Sequence, residues 1–182
     1  HKEYHEAEWA RHGGRFHMVQ LWVNLPAAHK MDPPRYQGLT AEQIGRSDLP
    51  QGAGIVRVVA GRYGDHVGPA DTVTPINLWD LQLTGAAPLQ LSFPRDETVA
   101  LLVLDGSVAV NGTAANHRDL VVLDDDGTEL EGSAGDAGSV EDFERLTRMS
   151  ESREYLREVA WALKCHGKGG QKRQATAQRA VA

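Results

Sequence analysis

Cysteine is almost missing from this sequence. Cys165 stands alone among 182 residues, which excludes an internal disulfide and a Cys-x-x-Cys metal or redox site. A reducing, cytoplasmic setting is the expectation that follows. Long apolar runs are missing too. No stretch approaches the roughly 20 residues that a membrane-spanning helix needs. The chain does not open on a basic, then apolar, then small-residue pattern, so a secretory signal is not expected. Positive charge is in deficit: 19 Lys and Arg against 25 Asp and Glu leave a formal net charge of -6. That balance argues against a general nucleic-acid binder. There is no internal repeat of fixed period. What is present is ordinary globular composition, 41% hydrophobic and 24% charged, in a length that suits one domain with a piece of another. The first residues, HKEYHEAEW, already have the character of a domain interior, so a fragment is the expectation.

Strand signals dominate the first two thirds. In HMVQLWVNL, Val19, Leu21, Val23 and Leu25 alternate with Met18, Gln20, Trp22 and Asn24. Pro26, Pro33 and Pro34 then break regular structure, and a short helix or turn is expected over Leu39–Ile44 with Thr40 as its cap. SDLPQGAG reads as linker. Short strands follow over 55–61, 76–83, 89–93, 99–106, 107–112 and 119–132, punctuated by Gly, Pro, Asn and Asp. Asp105-Gly106, Asn111-Gly112 and Asp126-Gly127 are hairpin-type pairs. This spacing indicates a β-sandwich or jelly-roll barrel. The character changes near Gly135. Residues 139–164 carry apolar positions at helical spacing, including Val140, Phe143 and Leu146, and Ser139 with Asp142 forms a capping pattern. Beyond Lys164 the chain is Gly-rich and basic, and a disordered tail is expected over 165–182.

The chemistry-bearing residues cluster at the start. His1, Glu3 and His5 alternate, so a strand would put them on one face. Imidazole with carboxylate suits a divalent transition metal. Same-face neighbours on a strand lie about 6–7 Å apart, so two can converge on one ion while a third falls too far along. His1 and Glu3 form a credible pair. On spacing alone, a frayed polar terminus is the favoured account, because short His/Glu clusters are common by chance. The other histidines (His12, His29, His66 and His117) fall in or near turns and read as solvated. Trp22, Trp79 and Trp161 fit apolar faces and read as packing residues.

The stretch QLWVNLPAAHKMDPPRYQ resembles the interdomain signature of the pirin family, whose members are two-domain cupin proteins. INLWDLQLTGAAPLQLSFP and VALLVLDGSVAVNG resemble that family's second domain. The resemblance runs from His1 to about Gly135. It implies an all-β fold: a C-terminal cupin (double-stranded β-helix, or jelly-roll) preceded by the last strands of an N-terminal cupin. The expected division is 1–25 for the end of the metal-binding cupin, 26–54 for the connector, 55–138 for the C-terminal cupin, 139–164 for a helix and 165–182 for the tail. In the family one metal, usually iron, is held by three histidines and a glutamate, the last two in an H-x-E element. That element matches His1-Lys2-Glu3, so the resemblance implies His1 and Glu3 as metal ligands and Glu3 as the proton acceptor. The family's usual closing Gly-Glu-Pro strand and the run that follows it are not found after Gly135.

The second cupin is expected to be metal-free. The general cupin pattern runs Gly, five residues, His-x-His, then Glu three or four further on. Counted from Gly85, the two histidine places hold Leu91 and Phe93, neither of which can ligate an ion. Glu97 follows at the acidic place and is expected at the surface. The activity implied by the resemblance is a metal-dependent quercetin 2,3-dioxygenase, with one divalent ion (most often Fe) and a flavonol-like substrate. The 182-residue chain itself is expected to be inactive. The alternative implied is a non-enzymatic co-regulator that binds a protein partner. Neither a membrane nor a nucleic acid is an expected partner.

Overall fold

The computed structural model describes residues 7–13, 19–84, 87–95, 97–124, 127–135 and 175–179. A short helix, α1 (Ala7–His12), comes first. It stops at Gly13, whose φ of +68° is the left-handed turn that glycine adopts at helix ends. The strands are β1 (Arg46–Asp48), β2 (Gly54–Ala60), β3 (Arg62–Tyr63), β4 (His66–Val67), β5 (Leu78–Leu83), β6 (Leu89–Ser92), β7 (Ala100–Leu102), β8 (Ser107–Val110), β9 (Thr113–Asn116), β10 (Asp119–Leu123), β11 (Glu129–Ala134) and β12 (Ala175–Arg179). They build three larger sheets, ordered β1-β2-β5, β12-β10-β7 and β6-β11-β8-β9, beside the small β3–β4 hairpin. This is the all-β, cupin-type architecture expected. None of the described helices is long and apolar enough to cross a membrane.

One apolar cluster joins the sheets. Val56 and Val58 of β2, Leu89 and Leu91 of β6, Val121 and Leu123 of β10, and Leu130 of β11 all belong to it and are almost wholly buried. Their two-residue spacing along each strand sends one face of every sheet inward. Each fully buried Val or Leu contributes about 1.5–3 kcal/mol, so this shared interior is the main source of stability.

The turns differ instructively from the sequence expectation. Asn111-Gly112 is a true hairpin turn: Val110 pairs with Thr113 across it, and both turn residues have positive φ, 48° and 79°. That is the two-residue geometry whose twist suits paired strands. Asp105-Gly106 is a corner instead, because β7 and β8 lie in different sheets. β10 and β11 are likewise in different sheets, with residues 125 and 126 between them outside the described set.

Four other expectations are corrected or qualified. Residues 19–25 keep the predicted alternation, with Val19, Leu21, Val23 and Leu25 half-buried and the residues between them exposed, but they join no strand among the described residues. Alternation sets which way side chains point, whereas a strand also needs a neighbour for its N–H and C=O groups. Trp22 on the outer side is 78% exposed, whereas a packing position was expected. The span expected as connector carries regular structure near its end, where β1 pairs with β2 from Arg46 to Asp48 and a turn follows at Pro50–Gly52. Finally, the tail is not wholly irregular. Ala175–Arg179 pairs antiparallel with β10 from Leu123 to Asp119. A ladder uses backbone groups, so an open edge accepts a sequence with no apolar pattern. The helix expected over 139–164, with Trp161, lies outside the described residues, as does the rest of 165–182.

Candidate functional site

His1 and Glu3 lie outside the described residues, so the expected metal pair has no observed geometry. Among the described residues no group of three or more His, Cys, Asp or Glu side chains could hold a metal ion. His12 ends α1 instead of occupying a loop. His29 sits in the turn at Ala27–His29, with Nδ1 2.8 Å from Asp32 Oδ2 and both side chains about half-exposed. His66 and His117 are exposed, as expected.

The arm at 19–25 leads into a well-anchored connector. Lys30 Nζ donates to Asn24 Oδ1 at 3.0 Å, folding the turn back on the arm. Further on, the side-chain amide of Gln37 imitates a strand neighbour. Its Nε2 donates to the Asp71 carbonyl at 2.7 Å, and its Oε1 accepts from the Asp71 N–H at 2.8 Å. Arg35 Nη1 reaches Asp71 Oδ2 at 2.7 Å. Asp71 itself is fixed to the barrel. Ala70 donates its N–H to Val59 O at 3.0 Å, where a register shift in β2 frees that carbonyl. Arg35 and Gln37 are the last charged and amide residues of the connector signature, so its end is tied to the barrel by three contacts on one residue. Sequence reading missed this clamp; the only signal was an Arg-x-Gln on a strand-like spacing with nothing to say what faced it.

The barrel interior answers the second question, whether it fits an ion. Leu91 and Phe93, at the two histidine places, are both 5% exposed and part of the apolar cluster. Trp79 lies against Phe93 in a stacked pair, with ring centroids 5.8 Å apart. Tyr63 meets Trp79 edge-on at 5.3 Å. Burial pushes the Tyr63 phenol pKa up. These residues do not fit a metal ion. Glu97 corrects the sequence expectation: it is 3% exposed, not at the surface. Losing the histidines removes a ligand role, but the chain position that buries the acid is set by the barrel and stays.

The comparisons point the same way as the fold. A Pseudomonas aeruginosa protein named "Putative quercetin 2,3-dioxygenase PA2418" is 47% identical over 131 residues, 72% of this chain and 46% of that protein. Pirin-1 of Arabidopsis thaliana is 30% identical over 95 residues, 52% of this chain and 32% of its own length. The chain belongs to the pirin family. Among solved structures, quercetin 2,3-dioxygenase from Acinetobacter baumannii superposes with a TM-score of 0.67 at 33% identity, covering 91% of this chain and 49% of that one. No family model matches the chain. The pirin-family chain thus spans about half the length of these two dioxygenase-named relatives.

Proposed function

We propose that this chain supplies His1 and Glu3 to the metal site of a quercetin 2,3-dioxygenase-type pirin, and that by itself it does not turn over flavonol. The carrying observation is the likeness, at 47% and 33% identity, to two proteins with that activity in their names, each about twice as long as the matched part. The donor set supports it, since an imidazole and a carboxylate two residues apart suit a divalent transition metal such as iron. When bound, such an ion supplies an open, Lewis-acidic position for a deprotonated flavonol. Glu3 accepts the proton of the flavonol hydroxyl. The Gln37–Asp71 clamp fixes the end of the connector that follows the 19–25 arm. Division of labour follows: residues 1–25 serve the metal half, 26–45 connect, and the barrel from β1 onward is metal-free.

Two ligands hold an ion weakly, because orientation and a supporting shell are missing. The test is quercetin consumption under O2 with added Fe(II). The chain alone should match the Fe(II)-only blank. A chimera that supplies the portion of the Pseudomonas relative this chain does not match should consume quercetin, and Glu3→Gln in that chimera should cut the rate by about 100-fold or more. Turnover by the chain alone would refute the inactivity, and an unaffected Glu3→Gln chimera would refute the role of Glu3.

A further inference from the structure

The barrel holds a polar group that packing does not explain. Trp79 is 5% exposed, and its indole Nε1 is buried with no hydrogen-bond partner among the described residues. Buried Trp residues ordinarily place that N–H against an acceptor, because leaving the bond unmade costs stability. A phenylalanine here would keep the stack on Phe93 without the penalty. The surroundings are flat and apolar. Phe93 stacks on Trp79 with an interplanar angle of 27°, and Leu91 and Leu81 belong to the same cluster. Of the three rings, Tyr63 alone is half-exposed, and it packs edge-on against Trp79 at 82°. It stands on β3, in a hairpin whose strands are two residues each. Of the three rings it is the one that solvent reaches, and the ladder that carries it has two residue pairs.

We propose that the Trp79–Phe93 stack is a binding site for a small, flat, largely apolar ring compound carrying a carbonyl acceptor, with Tyr63 as the side chain that yields on entry. The ligand's carbonyl takes the Trp79 N–H, and its ring replaces the Tyr63 edge against the indole. Leu91 and Phe93 at the pattern's histidine places favour an organic molecule over an ion. This inference is independent of the His1 and Glu3 reading, because neither residue nor any metal takes part.

The test uses the metal-free 182-residue chain labelled with 15N. Its four tryptophans give indole N–H resonances, and loss of one in Trp79→Phe assigns Trp79. Chromone and naphthalene are the probes: both are flat bicycles, but only chromone has a carbonyl. Chromone should move the Trp79 resonance downfield and saturate it, and naphthalene should bind about tenfold more weakly, the worth of one hydrogen bond. Tyr63→Ala should tighten chromone binding, and Trp79→Phe should weaken it about tenfold. A Trp79 resonance unmoved at the chromone solubility limit in both the wild type and Tyr63→Ala would overturn the proposal. So would equal shifts with the two probes. Should Trp79→Phe fail to fold, the probe comparison in Tyr63→Ala still decides.

Discussion

Arg57 and Asp80 are directly opposed across β2 and β5, and their side chains approach at 3.4 Å from Nη1 to Oδ2. Asp80 is 1% exposed and Arg57 13%. The residues on either side of them, Val56, Val58, Trp79 and Leu81, belong to the apolar cluster, so the pair occupies the other face of the sheet. A carboxylate this deep is tolerable only with compensating charge and hydrogen bonds. Replacing Arg57 with Met keeps the apolar stem but takes away the guanidinium. Breaking a buried pair in this way costs about 3–5 kcal/mol. The long contact and the partial exposure of Arg57 put the expected cost near the lower end, about 3 kcal/mol. For a chain of this size that corresponds to a Tm lower by about 6–12 °C. The asymmetry is the sharper part. Asp80→Asn should cost less, about 1–2 kcal/mol, because the orphaned guanidinium can turn toward water while a buried carboxylate cannot. The double variant Arg57→Met/Asp80→Leu should recover most of the loss, since no charge is left in the interior. Urea denaturation followed by circular dichroism measures all three. If Arg57→Met loses less than about 1 kcal/mol, or the double variant loses the sum of the singles, the pair is not the buried electrostatic unit described here.

Three further outcomes concern Tyr63 and the connector clamp. The Tyr63 pKa is raised by burial, so the folded state favours the neutral phenol. Stability from this group is therefore complete below the ordinary tyrosine pKa of about 10 and is lost as pH climbs from there through the raised folded value. Absorbance at the tyrosinate band should show one late-titrating tyrosine that Tyr63→Phe removes; a titration indistinguishable from the variant's would contradict the burial argument. Asp71→Ala removes only the carboxylate partner of Arg35, leaving the backbone bonds to Gln37, so its cost should stay below about 1 kcal/mol. Gln37→Ala strips both backbone bonds, and trypsin should then cut faster at Lys30 and Arg35 while the barrel's Tm changes little; equal cleavage rates would show that the clamp does not restrain the connector.

The barrel was legible in the sequence because its signals are local and repeated. Alternation at Val56–Val58, Leu89–Leu91 and Val121–Leu123 states both the strand and its inward face, and Asn111-Gly112 states its own turn type through two positive φ values. What stayed hidden depends on partners. Asp105-Gly106 looks like Asn111-Gly112, yet one turns a hairpin and the other moves the chain between sheets; the pairing of the flanking strands decides, and no turn residue encodes it. The same limit explains residues 19–25, where the face pattern is right and no described strand lies alongside. It explains β12 as well, because backbone pairing to β10 leaves no mark on composition.

The candidate site divides along that line. His1 and Glu3 were found as a pair of donor types at a spacing, and the spacing remains the whole of their support apart from the family. Leu91 and Phe93 were read correctly as interior, because a pattern position carries its burial with it. Glu97 separates burial from ligation: apolar residues at the histidine places leave the acid no ion to bind and suggest a surface position, yet it is enclosed. The barrel fixes which positions are enclosed, and chemistry is whatever the enclosed residues can support. Among the enclosed residues Trp79, Phe93 and the leucines around them offer no ligand to an ion, and the Trp79 indole N–H is a polar contact that a ligand could use.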